Sequence, residues 1–248
     1  MAAEAFSPTN ETIVLADFDN TLLPYTALAR ITPYLQNHGI GKIDMSQLQL
    51  TLKEYKQNIV GAERKVLQTI ASGLAGIAQA TVKEAVQRYY QNDPDNIQLF
   101  PFVEKLFQDA TDIHVITLEP DIFLPEIEDT NNPLKQITLH ATQFAVDEQG
   151  NFTGEIASIP EKGALTNEIL APIILKNQQR KLEGLPPISV FAMGDHHPSD
   201  GPMLDAVNDA KENGIFILNR RKLDQGDLTV YNNWKTALEK GYYVIVVR

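Results

Sequence analysis

The sequence predicts an α/β fold in which a doubly wound, mostly parallel sheet carries an inserted all-helical cap. Short apolar runs bounded by turn residues recur along the chain, and helical patterns lie between them. This alternation is typical of parallel strands that are joined by helices. The interval 25–94, between the first two runs, has helical patterns throughout, although a plain crossover connection needs roughly a dozen residues.

Five apolar runs predict the strands of the sheet. They are nearly continuous, as expected for strands buried on both faces, and they cover residues 13–16, 113–116, 188–193, 215–218 and 242–247. Patterns between them predict helices over 102–109, 161–181 and 201–213, and a hairpin from 140–145 and 152–156 with Gly150 in its turn. A Rossmann-like sheet of this kind binds its ligands at the carboxyl ends of its strands.

The interval 25–94 is predicted to form a helical cap beside that edge of the sheet. Amphipathic stretches at 28–35, 48–59, 62–71 and 82–90 predict its helices. The segment Asn92-Asp93-Pro94-Asp95 is interpreted as the return to the core, because residues before proline disfavour the helical conformation. Residues 1–24 and 95–248 then form the α/β core.

Composition narrows the class of protein. With 248 residues and 43% hydrophobic content, the chain has material for one packed α/β domain and a small inserted one. A formal charge of −11 without any basic stripe argues against nucleic acid as a partner. No apolar run approaches the ~18 residues of a membrane span, and the N-terminus lacks a secretory signal. The absence of cysteine excludes disulfides and thiolate chemistry, and we expect a cytoplasmic protein.

Two carboxylates stand where the first predicted strand ends. Asp17 and Asp19 begin the sequence Asp17-Phe18-Asp19-Asn20-Thr21, and residues two apart on an extended segment project to the same side. Carboxylates at this separation repel each other and raise each other's pKa unless a hard cation lies between them. The pair suits a Mg²⁺-assisted phosphoryl transfer, in which one Asp attacks phosphorus and the other handles the proton of the leaving oxygen. A strand ending in a polar turn is the alternative.

Two further polar residues are predicted at the same edge. Thr117 follows the run 113–116, so its hydroxyl and the next backbone N–H can hold a phosphate oxygen, with a helix cap as the alternative. Lys162 opens a predicted helix, where an ammonium group is poorly placed for the helix dipole. It can neutralise phosphoryl oxygens and offset the repulsion between carboxylates, and a solvated surface lysine is the alternative.

A third polar site follows the run 188–193. Asp195 stands where this strand stops and suits a Mg²⁺ ligand, while Asp200, in a predicted loop, suits an outer role that holds Lys162 or a water on the metal. His196 and His197 do not predict a zinc site, because adjacent residues do not easily bind one metal and no third His or Cys lies at ligand spacing. They are interpreted as loop residues at the rim.

Taken in order, these motifs resemble the haloacid dehalogenase superfamily, and most of all its phosphoserine phosphatase-like branch, which has a helical cap. The resemblance spans roughly residues 12–219 and extends to 73–76, 87–90, 142–154 and 201–204. It implies a phosphatase with Asp17 as nucleophile, Asp19 as general acid and base, and Mg²⁺ bound by Asp17, Asp195 and the Asp19 carbonyl. Thr117 and Lys162 then bind phosphate, and we place Thr21 with them.

The chain departs from that branch at two points that concern the substrate. Phosphoserine phosphatases have a Glu shortly after the first motif for the substrate ammonium group, but residues 22–28 contain no acid. Their second motif is Ser-Gly, whereas this chain has Thr117-Leu118-Glu119. We therefore expect phosphoserine to be a poor substrate among small phosphate esters. Arg64, in the cap, is the candidate for binding a carboxylate or second phosphate, with a surface charge as the alternative.

A phospho-accepting signalling module or a non-catalytic scaffold is the alternative function. Receiver domains also place acidic residues, a Thr and a Lys around Mg²⁺, but they carry the phosphorylated Asp on an interior strand. The N-terminal position of Asp17 and the Asp195–Asp200 pair disfavour a receiver, and intact motifs disfavour a scaffold. Residues 242–247 predict a final strand, and the role of residues 220–248 and the oligomeric state are left open.

Overall fold

The structure is a computed structural model that describes residues 11–23, 26–57, 61–92, 99–125, 137–210 and 212–247. The strands are β1 (Thr12–Ala16), β2 (Asp112–Pro120), β3 (Ile137–Val146), β4 (Phe152–Ser158), β5 (Ser189–Gly194), β6 (Asn213–Asn219) and β7 (Tyr243–Val247). The helices are α1 (Ala27–Asn37), α2 (Met45–Lys56), α3 (Ala62–Leu74), α4 (Gln79–Asn92), α5 (Pro101–Asp109), α6 (Lys162–Leu182), α7 (His197–Asp209), α8 (Arg220–Asp224) and α9 (Leu228–Glu239). A short 3₁₀-helix, Asp121–Phe123, follows β2.

These strands form one sheet in the order β4-β3-β2-β1-β5-β6-β7. Neighbouring strands are parallel except β3 and β4, which form the predicted hairpin, with Gly150 at a φ of 80° in its turn. Ala16 at the end of β1 pairs with Val115 of β2 and Met193 of β5. The predicted fold class is confirmed. The chain order reverses beside β1, and ligands of such sheets bind at that reversal.

Helices cover the sheet on both faces. Val14 and Ala16 of β1 pack in one hydrophobic layer with α5 and the α1–α4 helices, while Leu15 packs in the other with α6 and α7. All three side chains are fully buried, because successive strand residues point to opposite faces and both faces are covered. This double burial explains why the apolar runs of the sequence are continuous.

The interval between β1 and α5 holds helices α1–α4. In this insertion α2 packs on α3, α1 packs on α4, and α3 packs against β4 of the hairpin. The predicted stretches 28–35, 62–71 and 82–90 lie within α1, α3 and α4, and the stretch 48–59 begins within α2. Residues 58–60, and 93–95 of the predicted return to the core, lie outside the described residues.

Backbone hydrogen bonds join the turn between α3 and α4 to the start of β4. The Gly76 N–H donates to the Phe152 carbonyl at 2.8 Å, and the Phe152 N–H donates to the Ile77 carbonyl at 2.9 Å. The Gln79 N–H donates to the Gly150 carbonyl at 2.9 Å. These bonds fasten one end of the insertion to the tip of the hairpin.

The helix predicted over 201–213 begins and ends earlier than expected. Helix α7 starts at His197 and ends at Asp209. Pro198 occupies its first turn, where a missing N–H leaves no bond unmade and the fixed φ of proline favours the helix. Asp200 therefore lies in the first turn of a helix, and its predicted placement in a loop is wrong.

The strand predicted over 113–116 is longer than expected. It continues to Pro120, with an irregular register after Ile116, because β3 still pairs with it there through Thr142. Thr117 thus lies inside β2 and does not close it. Its position is nevertheless beyond the Ala16–Val115 pair, so it stays at the carboxyl edge next to the end of β1.

The C-terminal residues add one more strand to the sheet. Strand β7 pairs in parallel with β6, for example Ile245 with Ile217, so the prediction of a strand over 242–247 is confirmed from Tyr243 onwards. Helix α9 packs against both strands. In the ranges that the structure describes, no helix is long and apolar enough to cross a membrane.

Candidate active site

Asp17 lies directly after β1 at the centre of the carboxyl edge. Its backbone N–H donates to the Met193 carbonyl at 2.9 Å and continues the pairing with β5, so the carboxylate is carried on rigid backbone. The residue is only 7% exposed. Burial and the charges of Asp200 and Asp19 raise the pKa of Asp17, Lys162 opposes the shift, and the resulting value is about 7.

Lys162, the first residue of α6, is buried between two carboxylates. Its Nζ atom lies 2.6 Å from Asp17 Oδ1 and 2.6 Å from Asp200 Oδ1, and the residue is 5% exposed. Burial alone would lower the pKa of Lys162, but the two carboxylates raise it above its usual range. The surface-lysine alternative is therefore excluded by the structure, and the ammonium group is charged.

Asp200 organises the segment between β5 and α7. Its carboxylate accepts the Lys162 ammonium, the backbone N–H groups of Asp195 at 2.9 Å and His196 at 2.8 Å, and the Ser199 hydroxyl at 3.0 Å. Burial would raise the pKa of Asp200, but Lys162 and these donors hold it below its usual value. With four donors on two oxygens, this side chain holds Lys162 in place.

Two glycines allow the elements of the site to approach closely. A Cβ atom on Gly194 would lie 2.5 Å from the Asp200 Cβ, so no other residue fits at the end of β5 without moving that carboxylate. A Cβ atom on Gly163 would lie 2.9 Å from the Pro202 Cβ, where α6 meets α7. The sequences Lys162-Gly163 and Gly194-Asp195 therefore have a steric reason for their glycines.

Three carboxylates converge at the edge of the sheet. Oxygens of Asp17, Asp195 and Asp200 all lie within 4.8 Å of one another. Burial raises the pKa of Asp195 well above its usual value, and repulsion from Asp200 and Asp17 raises it further. Clustered carboxylates of this kind fit a hard divalent cation, which would relieve the repulsion. Because the Asp200 oxygens are already hydrogen-bonded, Asp17 and Asp195 are better placed to bind it.

Asp19, two residues after Asp17, contacts the start of α1. Its Oδ1 atom accepts the Ala27 N–H at 3.0 Å. Burial raises the pKa of Asp19 well above its usual value, and the adjoining Glu119 carboxyl raises it further. A carboxyl group with a raised pKa retains its proton closer to neutral pH and can act as an acid.

The comparison with known families decides the classification at this point. A sequence profile of the haloacid dehalogenase-like hydrolases matches residues 14–205, most of the chain. The chain belongs to the haloacid dehalogenase-like hydrolases. No curated protein sequence gave a significant match.

Two solved structures are similar to this haloacid dehalogenase-like hydrolase. A protein of unknown function from Bordetella pertussis Tohama I has a TM-score of 0.62 and 18% identity, over 96% of this chain and 99% of that one. A phosphoserine phosphatase in apo form has a TM-score of 0.49 and 18% identity, over 87% of this chain and 90% of that one. The first of these supports the fold.

The hydrolase places the two predicted threonines differently. Thr117 is 1% exposed, and its Oγ1 atom accepts the Glu119 N–H at 3.1 Å. Thr21 is fully buried, and its Oγ1 atom has no hydrogen-bond partner among the residues that the structure describes. Thr117 thus keeps its hydroxyl proton for another acceptor, whereas Thr21 lies within the core.

Sequence reasoning missed Glu119, which β2 brings to the start of α1. The residue is 4% exposed, and its Oε1 atom accepts the Leu28 N–H at 3.1 Å. Burial raises the pKa of Glu119, and the adjoining Asp19 carboxyl group and the Leu28 N–H oppose the shift. An acid therefore does lie beside the stretch 22–28, although none is part of it. The unusual Thr117-Leu118-Glu119 sequence was the available signal.

Sequence reasoning also missed Lys222 of α8. Its Nζ atom donates to Asn20 Oδ1 at 2.9 Å, and Asn20 has a left-handed φ of 53°. The ammonium charge lowers the pKa of Asp195, against the larger effect of burial. The C-terminal segment of the hydrolase thus reaches the turn that carries Asp17 and Asp19.

A cavity of about 620 Å³ lies between the insertion and the core next to Lys162. Arg64, on the first turn of α3, lines it with an exposed side chain. Tyr55 of α2 reaches across, with its hydroxyl 3.3 Å from His196 Nδ1. The full lining is Tyr55, Gly61, Glu63, Arg64, Leu118, Ile156, Ala157, Ser158, Ile159, Pro160, Glu161, Lys162, His196, Pro198 and Ser199.

The two adjacent histidines have separate surroundings. His196 lines the cavity, and burial lowers its pKa. His197 stacks on Tyr242 with ring centroids 6.4 Å apart and does not line the cavity. The expected position at the rim therefore describes His196, and His197 packs on the core.

Proposed function

We propose that this hydrolase is a Mg²⁺-dependent phosphatase that cleaves a small-molecule phosphomonoester through an aspartyl phosphate on Asp17. The observation that carries the proposal is the pair of unlike carboxyl groups at the end of β1. Burial raises the pKa of both, but Asp17 is ion-paired with Lys162 at 2.6 Å, whereas Asp19 accepts the Ala27 N–H and adjoins the Glu119 carboxyl group. A nucleophile and a proton donor are the two groups that ester cleavage needs.

In the proposed first step, a carboxylate oxygen of Asp17 bonds to phosphorus as the bond from phosphorus to the ester oxygen breaks. Asp19 gives its proton to the departing oxygen. In the second step, Asp19 accepts a proton from a water that attacks the phosphorus, and the bond to Asp17 breaks. Inorganic phosphate leaves, and both carboxyl groups return to their starting state. Asp19 thus acts as acid and then as base.

Charge balance at the phosphoryl group is the other requirement of this chemistry. Lys162 places a buried ammonium beside Asp17, where it neutralises phosphoryl oxygens. Thr117, which accepts the Glu119 N–H, is proposed to donate its hydroxyl to the same group. Mg²⁺, bound by Asp17, Asp195 and the Asp19 carbonyl, would supply Lewis-acid stabilisation of the transferring group.

A panel of phosphomonoesters tests the proposal directly. The purified wild type should release inorganic phosphate from some of them with Mg²⁺ and from none with excess chelator. If an acyl phosphate formed on Asp17 and persisted without release of phosphate, the alternative of a phospho-accepting signalling module would replace the phosphatase. Failure to react with any ester or phosphodonor would favour the scaffold.

Mg²⁺ binding predicts a change in thermal stability that does not depend on turnover. For wild type, Mg²⁺ at one hundred times its Kd should stabilise by about 2.7 kcal/mol, or roughly 5–10 °C in Tm. Asp195→Asn should remove most of this increase. Asp109→Asn, in an exposed pair with Lys105, is the matched control and should keep it.

The same two variants should differ in metal-free buffer. Because the pKa of Asp195 is raised in the folded state, its charge lowers stability once the pH exceeds the unfolded value of about 3.9. Asp195→Asn should therefore be more stable than wild type at pH 7, while Asp109→Asn should not. An equal Mg²⁺-induced increase in Tm for both variants would remove Asp195 from the metal site.

Arg64 is proposed to bind the non-reacting part of the substrate. Its guanidinium is exposed at the cavity that contains Lys162, and a planar fork suits a carboxylate or phosphate. On the best anionic ester, Arg64→Ala should lower kcat/KM by about 10–100-fold, the range for a lost charged hydrogen bond. Its kcat/KM for p-nitrophenyl phosphate should change little.

Arg88→Ala provides the control for that prediction. Arg88 also lies in the insertion, but it pairs with Glu84 on α4 and does not line the cavity. It should leave both substrates unaffected. Phosphoserine at the top of the panel would contradict the expected preference for esters without an ammonium group. In that case Glu63 and Glu161, which also line this cavity, would be the candidates for binding the ammonium group.

A further inference from the structure

The start of α1 is held by two acidic side chains from other elements. Thr26, which precedes the helix, makes no side-chain hydrogen bond to its first turn. Instead, Ala27 N–H donates to Asp19 at 3.0 Å, and Leu28 N–H donates to Glu119 at 3.1 Å. Two successive N–H groups of the insertion thus bind the proposed proton donor and a neighbouring Glu.

Glu119 is an unusual residue for this position. It is 4% exposed, and among the described residues it forms no ion pair with a lysine, arginine or histidine. Its Oε2 atom has no hydrogen-bond partner in the described part of the chain. Its carboxyl group adjoins that of Asp19, because the two accept successive N–H groups at the start of α1. A buried carboxyl group without a cation partner among the described residues is unfavourable, which argues for a role beyond binding the Leu28 N–H.

We propose that Glu119 is a positioning residue that holds the Asp19 carboxyl group in line for proton transfer and joins it to the insertion. This inference rests on the proposed phosphatase function. The Ala27 N–H fixes one oxygen of Asp19 and leaves rotation about the side-chain axis. The Glu119 carboxyl group, held next to it by the Leu28 N–H, restricts rotation of the Asp19 carboxyl group from a second side.

The backbone of Glu119 is held by Thr117, the proposed phosphate ligand. Its N–H donates to the Thr117 hydroxyl at 3.1 Å, so β2 carries Thr117 and Glu119 as one unit. Hydrogen bonds thus link Thr117 to Glu119 and Glu119 to Leu28, whose neighbour Ala27 binds Asp19. The proton donor, the proposed phosphate ligand and the first helix of the insertion are in this way held in one geometry.

The test compares two esters that differ in their need for an acid. Glycerol 2-phosphate has a poor leaving group, whereas p-nitrophenyl phosphate leaves with little protonation. With Mg²⁺, Glu119→Ala should lower kcat on glycerol 2-phosphate by about 10–100-fold, because a misplaced catalytic group costs a factor of this order. On p-nitrophenyl phosphate the loss should be less than about threefold, and KM should be unchanged on both.

Two further variants separate positioning from general damage. Glu119→Gln should keep activity within about threefold on both esters, because its amide accepts the Leu28 N–H and donates to Asp19. In an Asp19→Asn background, Glu119→Ala should cause no additional loss on glycerol 2-phosphate. Glu155→Ala, at an exposed Glu of β4, is the control for loss of a carboxylate and should behave as wild type.

Each outcome supports or overturns the positioning role of Glu119. Equal losses on both esters, or an additive loss in the Asp19→Asn background, would overturn the positioning role and leave Glu119 as a structural residue. An active wild type with unchanged Glu119→Ala kinetics would overturn this proposal alone. A wild type that hydrolyses neither ester, nor any other on the panel, would overturn the proposed function and this proposal with it.

Discussion

Asp17→Asn is expected to lower kcat for Mg²⁺-dependent hydrolysis by more than about 10⁴-fold, a loss typical of removing a covalent nucleophile. The amide keeps the volume of the side chain, so the fold should be retained. It cannot form the proposed acyl phosphate, and it also removes one carboxylate from the cluster with Asp195 and Asp200. The decrease should therefore be similar on every ester, whatever its leaving group.

The rate of phosphate release at saturating Mg²⁺ tests this prediction. The unfolding midpoint of each protein tests whether the fold is retained. Asp112→Asn is a suitable control, because Asp112 lies at the opposite end of β2 and pairs with His114 at the surface. It should have wild-type kcat. Activity of Asp17→Asn within tenfold of wild type would remove Asp17 from the mechanism.

Lys162→Met is expected to reduce the free energy of unfolding by about 3–5 kcal/mol at pH 7. Methionine preserves most of the apolar stem but leaves Asp17 and Asp200 buried without their common cation. Each lies 2.6 Å from the ammonium, and the Asp200 side chain is fully buried. Removing one partner of a buried pair is costly because the remaining charge is neither solvated nor neutralised.

The control lies on the same helix. Lys176 of α6 pairs with Glu11 at 2.8 Å but is 55% exposed, so Lys176→Met should change stability by no more than about 1 kcal/mol. Urea unfolding in metal-free buffer compares both variants with wild type. If the two substitutions had equal effects, the cluster of Asp17, Asp200 and Lys162 would not be a source of stability.

Local patterns in the sequence were sufficient to find the edge of the sheet that holds the site. Buried parallel strands give continuous apolar runs, and their ends were marked by Asp17 and Asp195. Because the carboxyl ends of parallel strands meet, residues 178 positions apart in the chain were expected together, and the structure brings their oxygens within 4.8 Å (195 − 17 = 178).

The contacts that were missed depend on long-range packing. Glu119 and Leu28 are 91 residues apart, and nothing in the residues around either one indicates the bond. A Glu on a strand is ordinarily exposed, so its burial could not be inferred from residue type. Tyr55 meets His196 for the same reason, through packing of the insertion that helical periodicity does not define. The early start of α7 was missed because two prolines obscured its pattern.

The attachment of the insertion to the β3–β4 hairpin has a consequence for how substrates enter. Three backbone hydrogen bonds hold the turn between α3 and α4, and the Gln68 side chain adds a fourth bond to the Gly154 carbonyl at 2.8 Å. We expect this turn to keep its position relative to the core. At the α2 side of the insertion, the Tyr55 hydroxyl lies 3.3 Å from His196 Nδ1. We expect substrates to enter the cavity on this side, by displacement of α2, while the turn between α3 and α4 stays attached to the hairpin during each turnover.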